Sequence, residues 1–113
     1  MPFIRITTNE KVTKWDADLL TAELGKGIEL INGKSERWLM LEYKGEMLMA
    51  FAGNDDSCAM VEVDLFGEAK AEEKNNLTDS ICSTVSSILH VPSDRIYVRY
   101  LETDTWGYDH ENF

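Results

Sequence analysis

The residues with the clearest chemical potential stand at the amino terminus, where Met1-Pro2 leads directly into the apolar, strand-like stretch Phe3–Thr7. An initiator methionine is usually removed when the next residue is small, and proline qualifies. Removal would convert the Pro2 nitrogen from an amide into a secondary amine held rigid by its own ring. A free α-amine has a reference pKa of about 8, which an apolar pocket or a nearby cation lowers. Pro2 is therefore a candidate general base near neutral pH; a chance Met-Pro start is the simpler alternative.

Composition narrows the classes of function. The chain has 113 residues of which 43% are hydrophobic, enough for one domain over residues 1–113 with a real core. Eleven basic residues stand against 21 acidic ones, so neither nucleic acid nor an anionic membrane is expected as a partner. The sequence shows no membrane-spanning apolar run and no signal peptide. We expect a cytoplasmic protein. Secretion by a route that does not use a signal peptide is the alternative.

Metal and disulfide chemistry are not expected. The two cysteines, Cys58 and Cys82, fall on a predicted strand and a predicted helix without the close spacing of a zinc site. We predict that both are buried, reduced thiols. The two histidines, His90 and His110, have no ligand-like neighbours in the sequence. We therefore expect no metal and no cofactor.

The hydrophobic pattern divides the chain into two similar halves, each with a strand, a helix and a second strand. The predicted bounds are 2–8, 14–32 and 37–43 in the first half, and 57–65, 68–90 and 95–101 in the second. A crossover of this length makes the two strands of each half parallel and right-handed. We therefore predict an α/β fold in which two β-α-β repeats form a four-stranded mixed sheet with two helices on one face.

Both predicted helices carry an apolar stripe at helical spacing. The stripe residues are Leu20, Leu24, Ile28 and Ile31 in the first helix, and Leu77, Ile81, Val85 and Ile88 in the second. Thr13 and Asp16 resemble a capping box at the start of the first helix, and Asn32-Gly33 is a good stop signal. Pro92 ends the second helix.

The predicted strands carry large apolar residues on both faces, as in Trp38–Leu41 and Ile96–Tyr100. The sheet face that the helices leave open then needs cover, which we expect other subunits to supply. The tail from Thr105 to Phe113 could add an edge strand to such a neighbour. A monomer with a partly exposed sheet is the alternative.

Short motifs occur in a fixed order along nearly the whole chain. They are Met1-Pro2-Phe3-Ile4, Thr8-Asn9, Asn32-Gly33-Lys34, Leu48–Gly53, Ser57-Cys58-Ala59, Phe66-Gly67 and Val91–Val98. Their order and spacing resemble the macrophage migration inhibitory factor and D-dopachrome tautomerase family. The resemblance implies a homotrimer with active sites between subunits. It also implies cofactor-independent keto–enol tautomerisation of α-keto acids such as phenylpyruvate.

The resemblance also implies roles for individual residues. Pro2 stands where the family has its catalytic proline, Lys34 where a lysine lies beside the substrate's acid group, and Phe66 where a backbone N–H contacts substrate. A cation at Lys34 would anchor a carboxylate and keep the Pro2 nitrogen uncharged by like-charge repulsion. The ring of an aryl substrate would lie against aromatic side chains, for which Tyr108 and Phe113 are candidate pocket walls.

Two further candidates fall on the last long strand. Tyr97 matches the family's tyrosine contributed by the adjacent subunit, and Arg99 shares its strand face. Many relatives carry a neutral asparagine at the position of Arg99. The additional positive charge of Arg99 could bind a carboxylate and favour more acidic substrates. An ion pair between Arg99 and an acid, for instance Glu102 or Asp64, is the equally weighted alternative.

Two other functions stay open. The family resemblance permits a cytokine-like secreted ligand that binds a host receptor, with the tautomerase activity incidental. A Pro2-dependent hydratase or dehalogenase acting on an unsaturated acid is the other alternative. That reaction needs a second acid–base residue to activate water. Asp64, Glu62 and Glu102 are candidates, and the sequence does not separate them.

Overall fold

A computed structural model describes residues 1–113 as two β-α-β units sharing one four-stranded sheet. The main elements are β1 (Pro2–Thr8), α1 (Lys14–Gly27), β2 (Met40–Lys44), β3 (Ala59–Phe66), α2 (Ala71–Leu89) and β4 (Ile96–Thr103). The strand order is β2-β1-β3-β4, with parallel outer pairs and an antiparallel pair at the centre. The predicted α/β fold with a mixed sheet is confirmed.

Helix α1 is shorter than the predicted range of 14–32. It ends at Gly27, and Ile28–Leu30 continue the chain as a single 3-10 turn. Two glycines within Gly25–Gly27 make this part a poor α-helix former, and Gly33 adopts a positive φ of 82° that reverses the chain. The predicted capping box between Thr13 and Asp16 is present.

The strand predicted at 37–43 also begins later. Glu36–Trp38 forms a 3-10 turn, and β2 starts only at Met40. The other elements predicted at 57–65, 68–90 and 95–101 are observed at Ala59–Phe66, Ala71–Leu89 and Ile96–Thr103.

The carboxyl-terminal tail pairs with itself within this chain. Strand β5 (Gly107–Tyr108) and strand β6 (Glu111–Asn112) form a small antiparallel hairpin. The two residues between them, Asp109 and His110, both have positive φ, as a two-residue hairpin turn requires. Addition of this tail as an edge strand to a neighbouring subunit stays a prediction.

The core lies between the two helices and one face of the sheet. Alternate residues of β1 and β3 are buried, as expected for strands with one covered face. All four stripe residues of the first helix are buried; in α2 the stripe continues to Leu89, with Ile88 only half-buried. The step from Val85 to Leu89 is the i, i+4 spacing, which keeps Leu89 on the buried face.

Core burial carries a direct stability prediction. Ile81 is fully buried at the centre of α2, so we expect Ile81→Ala to lower the free energy of unfolding by about 2–5 kcal/mol. Urea denaturation at fixed protein concentration measures the change. Ser83→Ala, at an exposed position of the same helix, is the control and should unfold at the wild-type midpoint. Equal midpoints for Ile81→Ala and wild type would contradict this packing.

The second face of the sheet is only partly covered. Its side chains include Met40 and Leu101, which are 68% and 57% exposed. We therefore still expect other copies of the chain to cover this face in an assembly. Neither helix is long and apolar enough to cross a membrane.

Candidate functional site

The start of β1 and the end of β3 meet at one end of the sheet. Pro2 is buried and pairs with Leu65 in the antiparallel register of these two strands. One residue further along β3, the Phe66 N–H donates to the Met1 carbonyl oxygen at 3.1 Å. The sheet thus fixes the amino terminus against Phe66, where the sequence predicted a substrate-contacting N–H.

The turn after α1 delivers Lys34 to the same place. The Lys34 N–H donates to the Ile31 carbonyl at 3.0 Å, across the turn that Gly33 closes with its positive φ. The Lys34 Nζ donates to the Phe66 carbonyl oxygen at 2.7 Å. Phe66 therefore uses its N–H to bind the amino terminus and its carbonyl to bind Lys34, which brings three predicted site residues together.

The terminal amine is electrostatically prepared to act as a base. Burial is the largest cause, and together with the charge and hydrogen bond of Lys34 it lowers the pKa of the Met1 α-amine from 8.0 to about 6. An amine with this pKa is mostly uncharged at pH 7. The position of the amino terminus therefore keeps its amine uncharged near neutral pH, which a general base requires.

An aromatic pocket opens beside Pro2. Its volume is about 720 Å³, within the range of small-molecule sites, and its wall includes Pro2, Trp38, Trp106 and Tyr108. The Trp38 and Tyr108 rings pack edge to face with centroids 5.3 Å apart. Phe113 stacks behind Tyr108 at 6.3 Å. The structure thus places Tyr108 in the wall and Phe113 in the layer that supports it.

Sequence reasoning missed several residues of this pocket. The sequence pattern predicts a strand at Trp38 and an edge-pairing tail at Trp106, and no motif singles out Arg37. The 3-10 turn at Glu36–Trp38 turns Arg37 and Trp38 into the pocket wall. The available signal was the dipeptide Arg37-Trp38 only a few residues after Lys34.

Within one chain, Tyr97 does not reach Pro2. Tyr97 lies opposite Met60 on β3, and Leu65, the partner of Pro2, is about 17 Å further along that strand. Its side chain is 62% exposed and packs edge to face on Phe51 at 4.9 Å. A role for Tyr97 therefore requires the site of another copy, as the resemblance implied.

Arg99 shares the open face of β4 with Tyr97, as predicted, and forms an ion pair. Its Nη2 lies 2.7 Å from the Glu62 Oε2. Neither partner suggested by the sequence, Glu102 or Asp64, is the one observed. The reason is the parallel register of β3 and β4, which sets Arg99 directly opposite Glu62. The Glu62 carboxylate also pairs with Arg5, so the two arginines share this carboxylate.

Comparison with known proteins decides the family. The family model for macrophage migration inhibitory factor (MIF) matches residues 1–111. The chain belongs to the macrophage migration inhibitory factor family. This assignment agrees with the ordered motifs and with the two β-α-β repeats, and it places the chain in the tautomerase superfamily.

Individual relatives show the same relationship. The chain is 26% identical to macrophage migration inhibitory factor of Mus musculus over 102 residues, which are 90% of this chain and 88% of the relative. Among solved structures, Leishmania major MIF2 superposes with a TM-score of 0.94 at 26% identity, covering 100% of this chain and 97% of that one. A family homologue from Prochlorococcus marinus gives 0.85 at 26% identity, covering 98% of both chains.

The structure separates the three acids that the sequence left equal. Glu102 binds the Lys74 Nζ at 2.7 Å and accepts the Ala69 N–H, and these bonds hold its pKa below the usual value. The Glu62 carboxylate forms ion pairs with Arg5 and Arg99. Asp64 alone of the three lines the pocket beside Pro2.

The cysteines lie outside the pocket. Both are free thiols; Cys58 is buried just before β3, and Cys82 is half-buried on α2. Burial raises the pKa of Cys82, helped by the nearby Asp79 charge, so this thiol stays protonated. Thiolate chemistry therefore has no support at Cys82. No group of three or more histidine, cysteine, aspartate or glutamate side chains is arranged to hold a metal ion.

Proposed function

We propose that this chain, once Met1 is removed, is a cofactor-independent tautomerase that interconverts the keto and enol forms of α-keto acids such as phenylpyruvate. One observation carries the proposal. The Met1 carbonyl accepts the Phe66 N–H, and the Met1 amine lies beside Lys34. Loss of Met1 would leave a secondary amine at Pro2 close to a free N–H at Phe66 and a cation at Lys34.

The chemistry of enolisation uses these groups in turn. The uncharged Pro2 nitrogen removes the proton from the carbon next to the substrate carbonyl, and negative charge moves onto the carbonyl oxygen. The Pro2 ammonium then returns its proton to that oxygen, which gives the enol. The Lys34 ammonium binds the substrate carboxylate, and the freed Phe66 N–H supplies a fixed hydrogen-bond donor in a water-poor site.

The pocket accounts for an aromatic substrate. Trp38, Trp106 and Tyr108 form a wall next to Pro2, where the ring of phenylpyruvate would lie against aromatic faces and edges. Such a ring would leave water on binding, which supplies binding free energy without any charged contact. The pocket wall therefore supports an aryl-substituted α-keto acid.

The assembly belongs to the same proposal. The open sheet face and the exposed β4 residues Tyr97 and Arg99 fit a homotrimer in which each copy adds these residues to a neighbour's site. Within one chain both are remote from Pro2, so the separation supports a shared site. The trimer would also cover exposed Met40 and Leu101.

Substituting the proposed base tests this function. Pro2→Gly keeps a small second residue, so Met1 removal remains possible, but it replaces the rigid secondary amine by a flexible primary one. We expect kcat/KM for phenylpyruvate to fall about 10- to 100-fold, because a less well positioned base loses part of its general-base contribution. The ultraviolet change between the enol and keto forms measures the rate, and an intact mass confirms the terminus.

The control for Pro2→Gly is the state of assembly, measured by sedimentation. An unchanged rate in a protein that lacks Met1 and keeps the wild-type assembly would contradict the role of Pro2. Wild-type protein that lacks Met1 and shows no turnover would contradict the tautomerase itself.

A further inference from the structure

Arg37 differs from the other three arginines of the chain. Arg5 and Arg99 form ion pairs with glutamates, and Arg95 donates to backbone carbonyls that include Ser57. Arg37 forms no ion pair and no hydrogen bond, although the chain carries 21 acidic residues. An arginine left without a partner in so acidic a chain has its whole set of guanidinium donors available for a ligand.

The position of Arg37 is the second observation. Arg37 lines the pocket that contains Pro2, and its guanidinium lies 5.0 Å from the centre of the Trp38 ring. Stacking on an indole holds the guanidinium in place while its N–H edge remains free. Trp38 in turn contacts Tyr108, so Arg37 belongs to the aromatic wall where the substrate ring is proposed to lie.

No neighbouring acid forms an ion pair with the exposed side chain of Arg37. The adjacent Glu36 carboxylate lies against Gly25 of α1, in the space that a Cβ would fill. The acid of the pocket wall, Asp64, is on β3 opposite Phe3 and forms no ion pair with Arg37. The local structure thus leaves the cation of Arg37 uncompensated, which favours an anionic ligand at that point.

We propose that Arg37 is a specificity-determining residue that binds a second anionic group at the far end of an aromatic α-keto acid. The inference rests on the proposed tautomerase function and adds the substrate class: arylpyruvates whose ring bears a carboxylate. Lys34 binds the keto-acid carboxylate beside Pro2, the aromatic wall holds the ring, and Arg37 receives the ring carboxylate through paired N–H groups. Without such a cation, the net charge of −10 would disfavour a dianionic substrate.

Kinetics with two substrates test the assignment. We expect Arg37→Gln to lower kcat/KM for 4-carboxyphenylpyruvate about 10- to 100-fold, mainly through KM, because a charge-assisted hydrogen bond is lost. The same variant should lower kcat/KM for phenylpyruvate by a clearly smaller factor, since that substrate has no ring carboxylate for Arg37 to bind. Arg37→Lys should recover part of the loss, because it keeps the charge but not the planar pair of donors.

Lys11→Gln is the matched control, since it removes one positive charge from an exposed side chain beyond the other end of β1. It should leave both substrates unaffected. Equal losses on the two substrates for Arg37→Gln would show that Arg37 only supports the wall through Trp38. No loss on either substrate would overturn the inference outright.

A binding measurement separates this inference from the tautomerase proposal. Quenching of tryptophan fluorescence reports occupancy of a pocket lined by Trp38 and Trp106 and needs no turnover. We expect wild type to bind 4-carboxycinnamate about tenfold or more tightly than cinnamate, and Arg37→Gln to bind the two equally. Absent turnover with that preference intact would contradict the tautomerase and support Arg37. Equal binding by wild type would contradict Arg37, whatever the rates.

Discussion

A chain that retains Met1 is expected to lose phenylpyruvate tautomerisation by about 10⁴-fold or more relative to the chain that starts at Pro2. Retention makes the Pro2 nitrogen an amide, which is no base. It also fills the site, because the Met1 carbonyl accepts the Phe66 N–H and Met1 lines the pocket. The base and one hydrogen-bond donor are thus lost together.

The Met1 amine makes this comparison more than a test of basicity. In the retained form that amine lies near Lys34 and has a pKa of about 6, so it is uncharged at neutral pH. It differs from the proposed base in being a flexible primary amine that lies one residue earlier in the chain. Inactivity of the retained form would therefore show that the place of the nitrogen matters as well as its basicity.

The two forms can be prepared from one protein. Expression with methionine aminopeptidase inhibited gives the retained form, and treatment of the same sample with that enzyme gives the processed form. Intact mass identifies each form, and sedimentation verifies that both assemble alike. A retained form that turns over phenylpyruvate at the processed rate would contradict the assignment of Pro2 as base.

The fold was predictable because its determinants are local. The apolar stripes through Leu20 and Leu77 set two amphipathic helices, and their spacing from the flanking strands dictates parallel pairs. The end of α1 was harder to place, because Gly25 and Gly27 weaken the helix while the turn at Gly33 lies further on. Ile28 is nevertheless fully buried, because tertiary packing holds the turn after α1 against the core.

The site was predictable only in part, because its remaining contacts depend on register and on a short irregular turn. Glu62 became the partner of Arg99 through the alignment of β3 with β4, which no pattern within either strand specifies. Arg37 and Trp38 entered the pocket through a 3-10 turn, which has no hydrophobic periodicity. Lys34 could be placed because a glycine turn and the family motif both indicated it.

Lys34→Ala is expected to affect binding and basicity at once. Loss of the ammonium removes the charge-assisted bond to the substrate carboxylate, so KM for phenylpyruvate should rise about 10- to 100-fold. It also removes two of the three causes that lower the pKa of the Met1 amine, which leaves only burial, and we expect the same effect on the Pro2 amine that takes its place. The pKa of the amine should therefore move back up toward its ordinary value.

The pH profile distinguishes these two effects. A base works only when uncharged, so kcat/KM rises as pH increases through the pKa of the terminal amine. Raising that pKa moves the inflection to higher pH, and Lys34→Ala should lose more activity at pH 6 than at pH 8. Lys34→Arg keeps the positive charge and should keep the wild-type inflection even where its KM is higher.

Lys26→Ala is the matched control, because Lys26 is an exposed lysine at the end of α1 with only a loose contact to Glu23. It should change neither KM nor the pH profile. Since Lys34 also binds the Phe66 carbonyl, a folding defect is checked by the urea midpoint of each variant. If Lys34→Ala folds normally and raises KM without moving the inflection, then Lys34 acts only on the substrate and burial alone sets the basicity of the amine. If neither quantity changes, Lys34 contacts the terminus without serving catalysis, and the carboxylate must be bound elsewhere.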